Sequence, residues 1–294
     1  MRFSFPIVNM AAFALLSISN ATVNGQTTES PQQLVQKTVD HELSAAQNGP
    51  RFLAADRKEA GHGSQTKLLI DTNQGPVGLL VAVDDKPLTQ EQRQAEDHRL
   101  DALVHNPDEL RKKEKSAKED ADRVCRIMKA LPNAFLYEPA GTEPGTQEVG
   151  KPGDELIRLK FRPNPNYQPP SRIEQVLMGM QGTIAIDPKQ HRIARIDGTL
   201  IEEVSFGWGI LGHLDSGGHY LVEQADVGGG NWDVTRMNLS FTGKLLILKS
   251  LNIKSSEVIT DVHPVPPNLS FAQGVDLLKT RAAQLPATTA AKTP

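Results

Sequence analysis

"GTIAIDPKQHRIARIDGTLIEEVSF", residues 182–206, reads as two strands around a turn. Asp187-Pro188-Lys189-Gln190 carries turn chemistry between two apolar runs. On the second strand Ala194, Ile196, Gly198, Leu200, Val204 and Phe206 share one face. Arg195, Asp197, Thr199, Glu203 and Ser205 share the other. Such alternation marks an antiparallel strand with one wet face.

The same pattern continues toward the C-terminus. "HYLVEQADV" (219–227) reads as a strand, and "NWDVTRMNLSFTGKLLILKSLNIKSSEVI" (231–259) reads as a long hairpin turning at Thr242-Gly243-Lys244. Trp232 and Val234 lie on even positions, Met237, Leu239 and Phe241 on odd ones. The slip near Thr235-Arg236 predicts a β-bulge. Between these strands lies "GWGILG" (207–212), which spells G-x-G-x-x-G. A dinucleotide turn needs a helix after the glycines to hold the pyrophosphate. Here "HLDSGGHYLVEQ" follows, so the motif reads as a glycine-rich connection between antiparallel strands, with no cofactor. His213, Asp215 and His219 in the same connection are metal-ligating types, but their spacing fits no ligand motif. They read as a solvated turn, and no metal is expected.

Toward the N-terminus, "RFLAADRKEA", "TKLLIDT" and "GPVGLLVAV" read as three further strands. Ser30-Pro31 opens a helix through Gln47, with Leu34, Val35, Val39 and Leu43 as its apolar stripe. Thr89 and Asn106 each open a capping-box pattern in a charged helical insertion, residues 87–131. From Thr89 to Lys129 there are ten basic and ten acidic residues, so the pair reads as solvated helices touching the sheet along a thin stripe. "PNAFLYEP" and "DELIRLKFRP" read as strands, and Ser171–Met180 as a short helical turn. Residues 263–294 read as a Pro/Ala/Thr-rich, largely disordered tail with a weak helical stretch around Phe271–Leu278.

Residues 1–25 pair Arg2 with a short apolar run and small residues ending at Val23-Asn24-Gly25. That is the pattern of a cleaved secretory signal, placing the mature protein in the periplasm or outside the cell. No later segment is long and apolar enough to span a bilayer. The 294-residue chain has one cysteine, Cys125, on a helical stretch without a neighbouring histidine; it reads as a packed, inert thiol. With 32 basic and 35 acidic residues the charge is balanced, and a nucleic-acid partner is not expected. There is no G-x-S-x-G or H-E-x-x-H, and the adjacent Glu202 and Glu203 point to opposite faces. No catalytic residue emerges.

With its signal sequence, helix and strands, the stretch "GMQGTIAIDPKQHRIARIDGTL" resembles the bacterial outer-membrane lipoprotein-sorting, or lipoprotein-carrier-like, proteins. Ile184, Ile186, Asp187, Arg195 and Gly198 stand at that group's hairpin positions, and the resemblance is best over residues 182–259. The chain as a whole looks like uncharacterised secreted bacterial proteins. The resemblance implies a half-open antiparallel β-barrel covered by helices, with an apolar cavity for acyl chains. The inserted pair departs from the compact carriers, and no functional residue is carried over.

Together these readings predict an α+β, mainly antiparallel protein: a single domain over residues 26–262, in which a curved, half-open barrel of about ten strands wraps the N-terminal helix. Two apolar faces on "LLIDT", "GLLVAV" and "KLLILKSLNI" mean either helices on both sides or an apolar cavity. A cavity under the N-terminal helix would be lined by Leu34, Val39, Leu200, Val204, Ile247 and Leu251. The expected function is a non-catalytic carrier of lipid or lipoprotein acyl chains. The alternatives are a ligand-free interaction protein of the envelope and, third, a hydrolase.

Overall fold

A computed structural model describes residues 29–206, 212–245 and 249–285. The predicted signal segment lies outside the described residues. Helix α1 (Pro31–Asn48) opens the fold, and Ser30 caps it in a full capping box with Gln33. A meander follows: β1 (Arg51–Ala60), β2 (Gly63–Thr72), β3 (Gly75–Val83) and the two-residue β4 (Lys86–Pro87). Next come α2 (Gln90–Val104), capped by Thr89, and α3 (Pro107–Ala134), capped by Asn106. Then β5 (Phe135–Pro144) and β6 (Glu155–Pro163) lead to α4 (Arg172–Gln175) and a 3-10 turn. Two hairpins follow, β7 (Met180–Asp187) with β8 (Arg192–Leu200), and β9 (Val204–Phe206) with β10 (Gly212–Leu214). The long strands β11 (His219–Gly228), β12 (Asn231–Leu245) and β13 (Lys249–Val265) complete the sheet, and α5 (Phe271–Gln284) closes the described chain.

Among the described residues the sheet has thirteen strands, with eleven along the path β4-β3-β2-β1-β13-β12-β11-β8-β7-β6-β5. All the named strands pair antiparallel. The fold class is therefore as expected, α+β with an antiparallel meander. Its shape is not: the ends of the path, β4 and β5, do not pair, and the sheet stays open rather than curling into a half-open barrel around α1.

Register gives the physical reason. Leu159, Ile184, Ile196, Val222 and Met237 stand side by side on five successive strands and face one way. Arg158, Ala185, Arg195, Glu223, Arg236, Val258 and Arg57 form the next row and face the other way. Helix α1 and the C-terminal part of α3 build one core on the first face, with Leu159, Ile184 and Ile186. Helix α5 and Leu100 of α2 build a second core with Leu53, Leu68, Ile70 and Val77. In β1 and β2 those residues lie on the face of Arg57, so the two cores sit on opposite faces. A sheet with a core on each side has no single interior to close around. Near-continuous apolar runs in β2 and β3 follow from the same arrangement.

Several local expectations change. The 242–244 turn is absent: Thr242, Gly243 and Lys244 continue β12, opposite Asn252, Leu251 and Ser250. Gly243 serves close approach instead, since a Cβ there would meet the His213 carbonyl oxygen at 2.1 Å. The expected long strand from Arg192 to Phe206 breaks at residues 201–203. A register shift opposite Ala185/Ile186 moves Ala194 off the face of Ile196 and into a small cluster with Leu156 and Trp232. The bulge on β12 is present, with Thr235 skipped between Arg236 and Val234. Residues 263–285 are not a tail. β13 runs to Val265, and α5 buries Phe271, Val275 and Leu278, with Gly274 pressed against Thr72. The period that signals α5 is short, and only the distant β2 and β3 supply its partner surface.

Candidate functional site

Strand β3 pairs with β4 at Ala82 and Val83, and the Val81 carbonyl accepts the Leu88 N–H, which leaves its outer edge without a strand partner from Pro76 to Leu80. An open edge carries unpaired N–H and C=O groups and must be covered. Helix α2 covers it with side chains. The Leu80 N–H donates to Glu96 Oε1 at 2.8 Å, and Arg99 Nη2 donates to the Gly78 carbonyl at 2.9 Å. Arg99 also clasps Glu96 through Nε at 2.6 Å and Nη2 at 2.7 Å. Desolvation pulls the Glu96 pKa upward, but Arg99 and the Leu80 N–H outweigh it and hold the carboxyl below its usual range. The inserted helices are thus an edge cover, tied on by one i,i+3 pair.

This cover leaves a pocket of about 420 Å³ between β2, β3, α2, α3 and the start of α5. It is a half-open groove in the surface, not an enclosed cavity. Leu69, Leu80, Leu103 and Phe271 are among its apolar lining residues, Phe271 being itself packed in the second core. Lys67, Arg99 and Lys113 surround the apolar part. Arg99 is committed to Glu96, whereas Lys67 and Lys113 have no ion-pair partner among the described residues. The site therefore offers apolar walls and two uncommitted ammonium groups. Its ionisable groups suit holding an anion; the single carboxylate is already neutralised.

The cavity predicted under α1 is replaced by core. Leu34, Val39, Leu200 and Val204 do come together, but in one packed cluster with at most 6% exposure. Leu251 is half-buried on β13, opposite Gly243, and outside that cluster. Ile247 lies outside the described residues. The stripe Leu34, Val35 and Val39 seats α1 directly on the sheet, so the apolar faces are spent on packing. The pocket was missed because one side of it, Glu96, Arg99, Leu103 and Lys113, comes from an insertion that reads as solvated. The available signal was the two-sided apolarity of β2 and β3. Leu68 and Ile70 face α5, while Leu69 and Leu80 face the pocket.

Residues 207–211 of the glycine motif lie outside the described residues. They connect β9 to β10, which pair antiparallel, and Gly212 begins a strand rather than a helix. His213, Asp215 and His219 do not converge. His219 Nε2 meets Asp197 Oδ1 at 2.8 Å, while His213 Nε2 lies 3.3 Å from Asp215 Oδ1. Cys125 is a half-buried free thiol on α3.

No family model matches the chain, and no curated protein matches it. Among solved structures it is similar to a DUF1329 family protein from Desulfovibrio piger, whose crystal structure is at 1.75 Å resolution. The identity is 10% and the TM-score 0.28, over 81% of this chain and 95% of that one.

Proposed function

We propose that the protein is a non-catalytic binding or carrier module for lipid acyl chains with an anionic end, such as a free fatty acid. The observation that carries this reading is the 420 Å³ pocket, apolar at Leu69, Leu80, Leu103 and Phe271 and cationic at Lys67 and Lys113. It moves the site from beneath α1 to the inserted helices, which then have two roles, edge cover and pocket wall. Export to the periplasm or beyond belongs to the same proposal, on the N-terminal pattern of residues 1–25.

Energetics set the expected affinity. Burying about eight methylenes at ~0.8 kcal/mol each favours binding by ~6 kcal/mol. The exposed Lys67 and the half-buried Lys113 add about 0.5 kcal/mol each. Together these give a Kd on the order of 10 μM. A fluorescent fatty acid should bind with that affinity and be displaced by dodecanoate. Leu103→Glu should abolish binding. Reversing both lysines, Lys67→Glu with Lys113→Glu, should weaken dodecanoate about thirtyfold, because ~1 kcal/mol of attraction becomes ~1 kcal/mol of repulsion, and leave dodecanol unchanged. Unaltered binding in these variants, folded by circular dichroism, would remove the pocket from consideration. An interaction module is the second reading. Its support is the solvent face of α3, where Val124 is 63% exposed.

A further inference from the structure

Hairpin β9–β10 carries a second cluster, independent of the pocket. Ser205 pairs with His213 and Val204 with Leu214. The same register sets Glu203, just before β9, opposite Asp215, just after β10. Strand alternation turns Val204 and Leu214 toward the core of α1, where both pack. Glu203, Ser205, His213 and Asp215 therefore share the opposite face. Donor atoms of Glu203, His213 and Asp215 all lie within 4.8 Å of one another. Two carboxylates directly across an antiparallel pair repel each other, and such like-charge pairs destabilise a sheet. Nearby cationic help is limited. Lys244 of β12 stands opposite His213 on this face but forms no ion pair among the described residues.

We propose that Glu203, His213 and Asp215 bind a divalent transition metal of the zinc class. One imidazole with two carboxylates is a borderline donor set, better matched to zinc or its neighbours than to calcium or magnesium, which take all-oxygen shells. One ligand pair already has the spacing of a zinc site. Ligand atoms about 2.0–2.1 Å from a tetrahedral zinc stand about 3.3–3.4 Å apart, and His213 Nε2 and Asp215 Oδ1 are 3.3 Å apart. A divalent ion also cancels the repulsion that the bare hairpin carries. Ser205 Oγ donates to Glu203 Oε1 at 2.9 Å and so orients that carboxylate toward His213 and Asp215. Three protein ligands leave a coordination position for water or an incoming donor. The linear set His213, Asp215, His219 conceals this site, because its third member comes from across the hairpin and His219 is engaged with Asp197.

Titration calorimetry of the full chain with zinc chloride, after chelator treatment, tests it, with element analysis of the desalted complex. One equivalent per chain is expected, together with a zinc-dependent rise in thermal midpoint. His213→Ala and Glu203→Gln should each abolish both signals. Glu203→Gln removes the like-charge pair, so without metal it should melt no lower than the native chain, which shows that it folds. Ser205→Ala should bind about tenfold more weakly, and His219→Ala as the native chain does. No stoichiometric zinc, or zinc retained in His213→Ala, would overturn the proposal. So would loss on changing His219 alone.

Discussion

Replacing Glu42 by alanine is expected to destabilise the fold by about 3–5 kcal/mol, the range for breaking a buried ion pair from one side. Glu42 is the polar anchor of α1. Its Oε1 accepts the Ile193 N–H at 2.8 Å and Arg192 Nε at 3.0 Å. Its Oε2 stands 3.0 Å from Arg192 Nη2, and both side chains are only 10% exposed. Alanine leaves a guanidinium buried without its counter-charge and an amide without an acceptor at the start of β8. The Trp232 ring, 5.7 Å from the guanidinium carbon, compensates only in part. Glutamine keeps an acceptor for Ile193 and should lose less. Urea denaturation checks this: the midpoint should fall sharply in Glu42→Ala with an unchanged m-value. A shift below ~1 kcal/mol would mean that α1 is held by its apolar stripe alone.

Leu200→Ala is expected to cost about 2–5 kcal/mol, as for other large-to-small changes in a packed core. Leu200 is fully buried at the end of β8, in one cluster with Leu34, Val35, Val39 and Val204. The same variant separates core from ligand site. If acyl chains entered between α1 and the sheet, the added space would change the affinity of a fluorescent fatty acid. With the site at α2 and α3, affinity per folded molecule should stay within twofold while the thermal midpoint drops. Fluorescence titration below the variant's midpoint distinguishes the two.

Much of the local structure was legible because it is set by neighbours in the chain. Asp187 to Gln190 turn the hairpin, Ser30, Thr89 and Asn106 cap their helices, and the parity change around Thr235 marks a real bulge. What was not legible depends on distant partners. β1 pairs with β13, near the other end of the chain, and that pairing decides that cores form on both faces. Gly243 looks like a turn residue because its reason is the His213 backbone beside it. α5 shows little by itself, since Phe271 and Leu278 have meaning only against β2 and β3. The pocket was half legible. Two-sided strands announced either helices on both sides or an apolar cavity, and helices α2, α3 and α5 all pack against β3. The charged helices gave no sign of being its wall, because their work is done by Glu96 and Arg99 on an unpaired edge.

Native mass spectrometry of the full chain, equilibrated with a bacterial lipid extract and passed through a desalting column, tests the acyl-binding reading most directly. The pocket predicts a single adduct per chain, a single-chain anionic lipid such as a fatty acid, absent from folded Leu103→Glu and retained in Leu200→Ala. A native chain that emerges bare, or an adduct that survives Leu103→Glu unchanged, would contradict it.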